Sequence, residues 1–457
     1  MKAAASRRNL KPLQRASHSP AREVLSALES KPAFEVIRGT AGDHPHVSQF
    51  LTAVSHRPSA AEFQAQIDAP FYHPQDRLLV KRAGEVIAHV RLTRRELRFG
   101  SQSIFAGSLS DFAVLHEYRR RGCGSQLLAA AEQQLRNAGC FLATVRTRHP
   151  QYFIKRGWCV GLQPHSAMAH THEIMAYLCQ DGPAPISPLQ SPASPLNIRL
   201  WRQVELDALK RLYSGNSAGI LGPPVRDDAY WRWLIDRRGY DRIYVAIEGP
   251  DRLDLNDPGA PIVGYACMRR GHILEIMAAD DSPRVTAELL KRACGDAMER
   301  DIHHLRIDAP PGRSVHAILA NARDHSLSRD SGSGAALLAS VLDVGEFLQQ
   351  CGGELHRRAR DAGQSLPCEL GLRVGNDRYV VAVNRSGTQV RQGKPGRSQL
   401  VCSRSQFCQL AIGQLDVAAE LEARRLTATT NFAREFACAV FPRLALWNTA
   451  WDDSPAK

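Results

Sequence analysis

The residues best placed by type and spacing to do chemistry stand together in Arg119-Arg120-Arg121-Gly122-Cys123-Gly124, just ahead of a helical pattern that begins near Ser125. The first turn of a helix leaves about four backbone N–H groups unpaired. The aligned peptide dipoles add about half a positive charge at the same place. Glycines remove the Cβ atoms that would hold an anion away from the backbone, and arginines add permanent positive charge. A diphosphate satisfies such a set of donors. Taken alone, the hexapeptide equally fits a basic turn feeding a surface helix. Three groups near it could move a proton. They are Asp111 ahead of the turn, His149, and Tyr152 in the aromatic–basic–glycine run QYFIKRGW. Each also has a plain structural reading as a packed or surface side chain.

Positioning these groups takes a strand, a helix and a second strand. Phe112–Val114 reads as a short apolar strand entering the turn. The helix that leaves it, SQLLAAAEQQLRNAG, carries Leu127, Leu128, Ala131 and Leu135 on one side, the spacing of a helix lying on a sheet. Gly139 supplies its C-terminal stop. Upstream, FEVIRG predicts a first strand, VSQFLTAV and SAAEFQAQI predict helices, and residues 76–100 predict two or three antiparallel strands. Ser59 with Glu62 has the spacing of a capping box. The expected fold class for residues 34–180 is therefore a mixed α/β sheet with helices on its faces.

Residues 1–33 read as a mobile basic tail, with six Lys or Arg and no acid in the first 22 positions. Residues 181–197, DGPAPISPLQSPASPLN, read as a proline-rich linker. Residues 198–338 repeat the earlier order: helices, three strands, a helix and a strand. Here the turn before the helix is Asp280-Asp281-Ser282-Pro283-Arg284. It has no glycine, and its two carboxylates would repel a diphosphate, so this unit reads as structural. Its aromatic run Tyr230, Trp231, Trp233 reads as core packing or as a wall of an acceptor pocket. Residues 339–457 form a small α+β unit with a curved antiparallel sheet. Its end, AWDDSPAK, reads as a flexible charged tail.

Arg119-x-x-Gly122-x-Gly124 after a strand resembles motif A of the GNAT N-acetyltransferases, and QYFIKRGW is similar to that family's aromatic–glycine motif. The resemblance covers residues 35–180. It implies acetyl-CoA as co-substrate and an amine acceptor, either a small molecule or a protein lysine. It implies that Phe112, Ala113 and Val114 pair with the pantetheine arm, while Arg119, Arg120, Arg121, Gly122, Cys123, Gly124 and Ser125 hold the diphosphate. The family often sets a tyrosine four residues before the glycine, to protonate the departing thiolate. Counting back from Gly157, that position is Phe153, and Tyr152 lies one residue earlier. In a regular strand or helix, Tyr152 is expected to point elsewhere; a local bulge that shifts the register would let it serve. The three-part layout resembles the Eis-type acetyltransferases, which join a working GNAT domain, a degenerate one and a sterol-carrier-protein-like domain. That likeness implies a homo-oligomer. It gives the chain terminus a catalytic role that AWDDSPAK does not match.

Composition bounds the rest. The net charge of +13 suits an anionic cofactor, and no aromatic-interleaved basic motif points to nucleic acid. Eleven scattered cysteines without a CxxC pair argue against a zinc ribbon or a disulfide framework and fit the cytoplasm. No apolar run approaches the ~20 residues of a membrane span. His165, His170 and His172 read as a strand-end cluster, not as metal ligands, and His303–His304 alternate across a strand. No metal is expected. Two further readings compete with an N-acetyltransferase: a non-catalytic acyl-CoA sensor or scaffold, and a lipid carrier acting through the C-terminal unit.

Overall fold

A helix that buries one apolar stripe needs a sheet beneath it, and three sheets supply that need here. The structure, a computed structural model, describes residues 34–55, 58–162, 166–180, 195–249, 262–310, 312–322, 326–328, 336–444 and 447–455. The tail expected at 1–33 and most of the linker expected at 181–197 lie outside the described residues.

The first unit runs β1 Val36–Arg38, α1 His44–Ser55, α2 Ala60–Ile67, β2 Arg77–Arg82, β3 Glu85–Phe99, β4 Gln102–Val114, α3 Cys123–Asn137, β5 Leu142–Thr147, α4 Pro150–Ile154 and β6 Cys159–Leu162. Then come β7 Ser166–His170 and α5 Thr171–Gln180. Ser59 caps α2 by accepting the Glu62 N–H at 3.2 Å. Leu127, Leu128, Ala131 and Leu135 of α3 are all buried, packed on Leu78, Val90, Leu92 and Val145 of the sheet. The short strand expected at Phe112–Val114 is the end of a strand 13 residues long, paired along its length with the 15-residue β3.

The second unit runs β8 Leu196–Leu200, α6 Leu206–Ser217, β9 Leu221–Pro224, α7 Asp228–Asp236, β10 Arg242–Glu248, β11 Ile262–Arg269 and β12 His272–Ala278. It continues with α8 Pro283–Met298, β13 His304–Asp308, α9 Ser314–Asn321, β14 Ser326–Ser328 and β15 Ala336–Val341. Here β10, β11 and β12 pair antiparallel, and β12 then pairs parallel with β13 across α8. The first unit does the same, with β2, β3 and β4 antiparallel and β5 parallel across α3.

The two units exchange a strand. In the first sheet β15 lies between β5 and β6, in the order β1-β2-β3-β4-β5-β15-β6. In the second sheet β7 lies beside β13, in the order β14-β7-β13-β12-β11-β10-β8. Neither residues 34–180 nor residues 198–338 therefore close a sheet from their own residues. The physical reason is that β5, being buried, needs backbone hydrogen-bond partners along both edges, and chain order does not say which strand provides the second.

The third unit comprises α10 Val344–Gln350, α11 Gly352–Asp361, β16 Cys368–Val374, β17 Asp377–Asn384, β18 Gly387–Gln392, β19 Gln399–Cys402, α12 Arg404–Ala411, α13 Val417–Glu422, β20 Thr427–Ala428 and α14 Asn431–Val440. Its buried Phe347, Leu372, Phe407 and Phe436 share one core with Phe99, Ile104 and Leu142 of the first unit. Glu354 of α11 fastens the join. It accepts the Ser101 N–H at 2.9 Å and the Ser101 hydroxyl at 2.7 Å.

The C-terminal expectation is corrected. Residues 450–453 form a last helix, α15, and Trp451 and Asp452 are buried rather than held in a flexible tail. Asp452 accepts hydrogen bonds from Arg226 (Nη2, 3.0 Å) and Tyr230 (Oη, 2.7 Å), and Arg226 also binds Glu275 at 2.7 Å. An uncompensated charge is costly inside a protein. The buried Arg226–Glu275 pair therefore leaves donors that need Asp452 as well.

Candidate active site

The two strands that meet at the site part company along their length. β4 pairs with β5 from Ala106↔Leu142 to Leu109↔Val145 and no further. β4 continues to Val114, bonded only on its β3 side, and β5 bonds onward to β15. A wedge opens between them. Phe112, Ala113 and Val114 line it on an edge of β4 that pairs with no strand among the described residues, the kind of edge an extended chain can add to.

At the wide end of the wedge stands α3. Its first ladder bond is from the Gln126 N–H to the Gly122 carbonyl at 3.1 Å, so the N–H groups of Cys123, Gly124 and Ser125 come before the ladder. Gly122 has φ +92°, a conformation that favours glycine, and no atom stands within 4 Å of the place a Cβ would occupy. Arg120 also takes a left-handed φ of 62°. Arg119 Nε donates to the Val114 carbonyl at 3.1 Å, tying the turn to the strand end. The Arg121 guanidinium lies 5.8 Å from the Tyr118 ring centroid. Cys123 points inward, where burial pushes its thiol pKa up, so only its backbone faces the turn.

Tyr152 does not point away from this turn, as a regular helix was expected to make it do. Residues 150–154 do form a short helix, and it turns Phe153 into the core and Tyr152 toward α3. Phe153 packs edge-on to Trp158 with ring centroids 5.4 Å apart. The Tyr152 hydroxyl lies 2.9 Å from where a Gly124 Cβ would be and is buried beside the Ser125 hydroxyl, with no well-aligned hydrogen bond among the described residues. Burial raises its pKa, with the nearby Arg156 charge opposing. His149 stands at the N-cap position of that helix without a side-chain capping bond, its backbone N–H bonded to Thr147 Oγ1 at 3.0 Å.

Asp111 occupies a bulge. His89 faces Ala113 and Arg91 faces Ser110, so Asp111 and Phe112 together stand opposite Val90 alone. Asp111 has φ +53°, and its carboxylate pairs with Arg91 at 3.3 Å. On β5, Val145 faces the α3 side, and the next residue, Arg146, bonds Asp453 of the C-terminal segment at 3.1 Å. The second unit sends Trp233 to the same region, where its indole N–H bonds the Ala65 carbonyl at 2.8 Å.

Some participants were not visible in the motif. Arg156 stacks 3.8 Å from the Tyr152 ring centroid and donates to Ser125 Oγ at 2.8 Å, adding a fourth arginine to the turn. Its place in KRGW beside the glycine was the available signal. Arg77 and His89, both buried beneath the bulge, carry no local sequence signal beyond strand alternation.

The matching place in the second unit is occupied by its own side chains. Asp281 accepts from the Ser314 N–H at 3.0 Å, Ser282 caps α8, and Asn216 donates to the Ala278 carbonyl at 3.0 Å inside the parting of β12 and β13. The histidines gather more than expected. His303 and His304 do not face opposite sides: their rings lie 6.1 Å and 5.0 Å from that of His170, which also stacks on His172 at 5.6 Å. His165 lies outside the described residues. Among the described residues no group of three or more His, Cys, Asp or Glu is arranged to hold a metal ion, and no helix is long and apolar enough to cross a membrane.

Comparison with known proteins adds a class to this geometry. Residues 46–152 match the acetyltransferase (GNAT) family. That part of the first unit, from α1 to Tyr152, is therefore similar to a GNAT acetyltransferase domain, and it contains both the wedge and the turn. No curated protein matches the chain. Several solved structures share its fold across 91% of its length. A GCN5-related N-acetyltransferase from Anabaena variabilis superposes with a TM-score of 0.67 at 13% identity, over 99% of that chain. Another from Kribbella flavida gives 0.65 at 14% over 97%. Eis1 from Mycobacterium abscessus gives 0.59 at 14% over 99%. At such identities the likeness is one of fold.

Proposed function

We propose that this chain is an Eis-like, acetyl-CoA-dependent N-acetyltransferase acting on a primary amine, a small molecule or a lysine side chain, by direct attack in a ternary complex. The observation that carries the reading is the open edge of β4 beyond Leu109, leading to the uncapped first turn of α3. The edge is the right partner for a pantetheine arm. The N–H groups of Cys123, Gly124 and Ser125, with Arg119, Arg120 and Arg121 around them, suit a diphosphate. The neutral amine attacks the thioester carbon, and the carbon–sulfur bond breaks. Tyr152 donates its proton to the departing thiolate. Asp111, steadied by Arg91, is the nearest carboxylate to receive the proton the amine loses. Most of the acceleration comes from holding both substrates in line.

In this reading the second unit is a degenerate GNAT-like domain and the third is sterol-carrier-protein-like. The chain works in the cytoplasm as a homo-oligomer, needs no metal and binds no nucleic acid. Incubation with isotopically labelled acetyl-CoA and a panel of amines, followed by mass spectrometry, tests the proposal. Label should appear on at least one amine. Tight acetyl-CoA binding with no transfer to any amine would replace the enzyme with a sensor.

A further inference from the structure

Beneath the Asp111 bulge lies a buried guanidinium with no carboxylate at hydrogen-bond distance among the described residues. Arg77 is 1% exposed. Its donors end on Tyr72 Oη (2.9 Å), Gln66 Oε1 (3.1 Å) and His89 Nε2 (3.1 Å). Burying a cation among neutral acceptors is expensive. His89 is fully buried between Arg77 and the bulge, and its Nδ1 lies 2.9 Å from the Asp111 carbonyl.

The chemistry sets the tautomer. Arginine only donates, so His89 Nε2 must accept and Nδ1 must carry the proton. Burial, reinforced by the Arg77 charge, pushes the His89 pKa down to about 4, so the ring is neutral. Nδ1–H therefore donates to the Asp111 carbonyl. That carbonyl and the Phe112 N–H belong to one trans peptide, in which the two groups point in opposite directions. Fixing the carbonyl toward His89 turns the Phe112 N–H away from it. A donor on the carbonyl also makes the N–H a stronger donor, and a cation behind the imidazole strengthens the chain further.

We propose that Arg77 and His89 are positioning residues: they hold the Asp111–Phe112 peptide so that the Phe112 N–H is aimed and polarised for the acyl carbonyl of the bound thioester. This rests on the wedge being the acyl-CoA site. Neither side chain touches substrate, and both act through the peptide.

The test uses the full chain and acetyl-CoA labelled with carbon-13 at the carbonyl. Infrared difference spectra read the carbonyl stretch of the bound thioester, and calorimetry reads affinity. In the wild type the stretch falls below its value in water. In His89→Leu it returns toward that value, affinity changes less than about threefold, and kcat falls about ten- to a hundredfold, the scale of a weakened oxyanion donor. His89→Asn, whose side-chain amide can donate from nearly the same place, keeps most of the shift. Arg77→Met gives an intermediate shift and carries the test should His89→Leu fail to fold. A stretch unmoved in His89→Leu or, where that variant does not fold, in Arg77→Met overturns the relay and leaves the acyl-CoA site standing. Failure of the wild type to bind acetyl-CoA overturns both.

Discussion

The exchange of β15 into the first sheet makes a residue remote in sequence a structural part of the proposed cofactor wedge. Leu338 is fully buried. It faces Val145 of β5 on one side and Val160 of β6 on the other. It belongs to the same core as Leu127 and Leu128 of α3, Phe153 and Trp158. Val145 is the last residue of β5 paired to β4, the hinge of the wedge. Leu338→Ala removes three carbons from this core and leaves a cavity. Such changes cost about 3–5 kcal/mol where the site relaxes little, a large share of a stability of about 5–15 kcal/mol. For a cooperative unit of this size that is a fall in Tm of roughly 6–20 °C. Urea unfolding and calorimetric acetyl-CoA titration, both at temperatures where the variant stays folded, check the reasoning. The expected result is a lower midpoint together with weaker acetyl-CoA binding. Leu289→Ala, equally buried in the second unit's core, serves as the control, destabilising the protein without weakening binding in the folded fraction. A Leu338→Ala variant less than about 1 kcal/mol below wild type would refute the assigned strand order, because a leucine packed on both sides cannot be removed so cheaply.

Tyr152→Phe separates two roles for the hydroxyl beside Gly124. Loss of a general acid lowers kcat about a hundredfold or more and removes the alkaline limb of its pH profile, whereas loss of a diphosphate contact raises KM and leaves kcat unchanged. Asp452→Ala leaves Arg226 paired with Glu275 but removes the acceptor of Arg226 Nε and of the Tyr230 hydroxyl in the interior, and a cost of about 1–3 kcal/mol for each buried donor left unpaired is expected in chemical denaturation; an unaltered midpoint would return the C-terminus to the status of a loose tail. Glu354 gives a pH test. Burial alone would raise its pKa, but hydrogen bonds from Arg357 and Ser101 and the charge of Arg358 outweigh it and hold the group at about 2. With a folded pKa below the ordinary value, its stabilisation is present above about 4.5 and is lost as pH falls toward about 2. Glu354→Gln should flatten the acid limb of a stability–pH curve by that contribution.

Much of the strand–turn–helix at the proposed site was legible because its determinants are local. Gly122 needs only its own φ, and the stripe from Leu127 to Leu135 needs only the helical period, so the strand–turn–helix order could be read from Phe112 to Gly139. The partnership of strands was not legible. Nothing in ALLASV at 336–341 distinguishes a strand of the second sheet from one of the first, since an apolar strand fits between any two neighbours. The Tyr152 register failed for a related reason. Counting from Gly157 assumes a backbone path, and the one-turn helix at Pro150–Ile154 rotated Tyr152 onto the site and Phe153 off it. The buried tail was missed because WDD reads as polar until Arg226 and Tyr230, more than two hundred residues earlier, are seen to need it.

The claim on which the account stands is that the first turn of α3 holds the diphosphate of acyl-CoA. Calorimetric titration of acetyl-CoA into the wild type and into Arg121→Glu/Gly122→Asp measures it directly. No atom stands within 4 Å of a Gly122 Cβ, so the new side chain displaces no core atom, while the left-handed φ strains the turn itself. The account predicts saturable binding by the wild type and no detectable binding by the variant, with matched far-ultraviolet circular dichroism. Equal affinity in both proteins would contradict it.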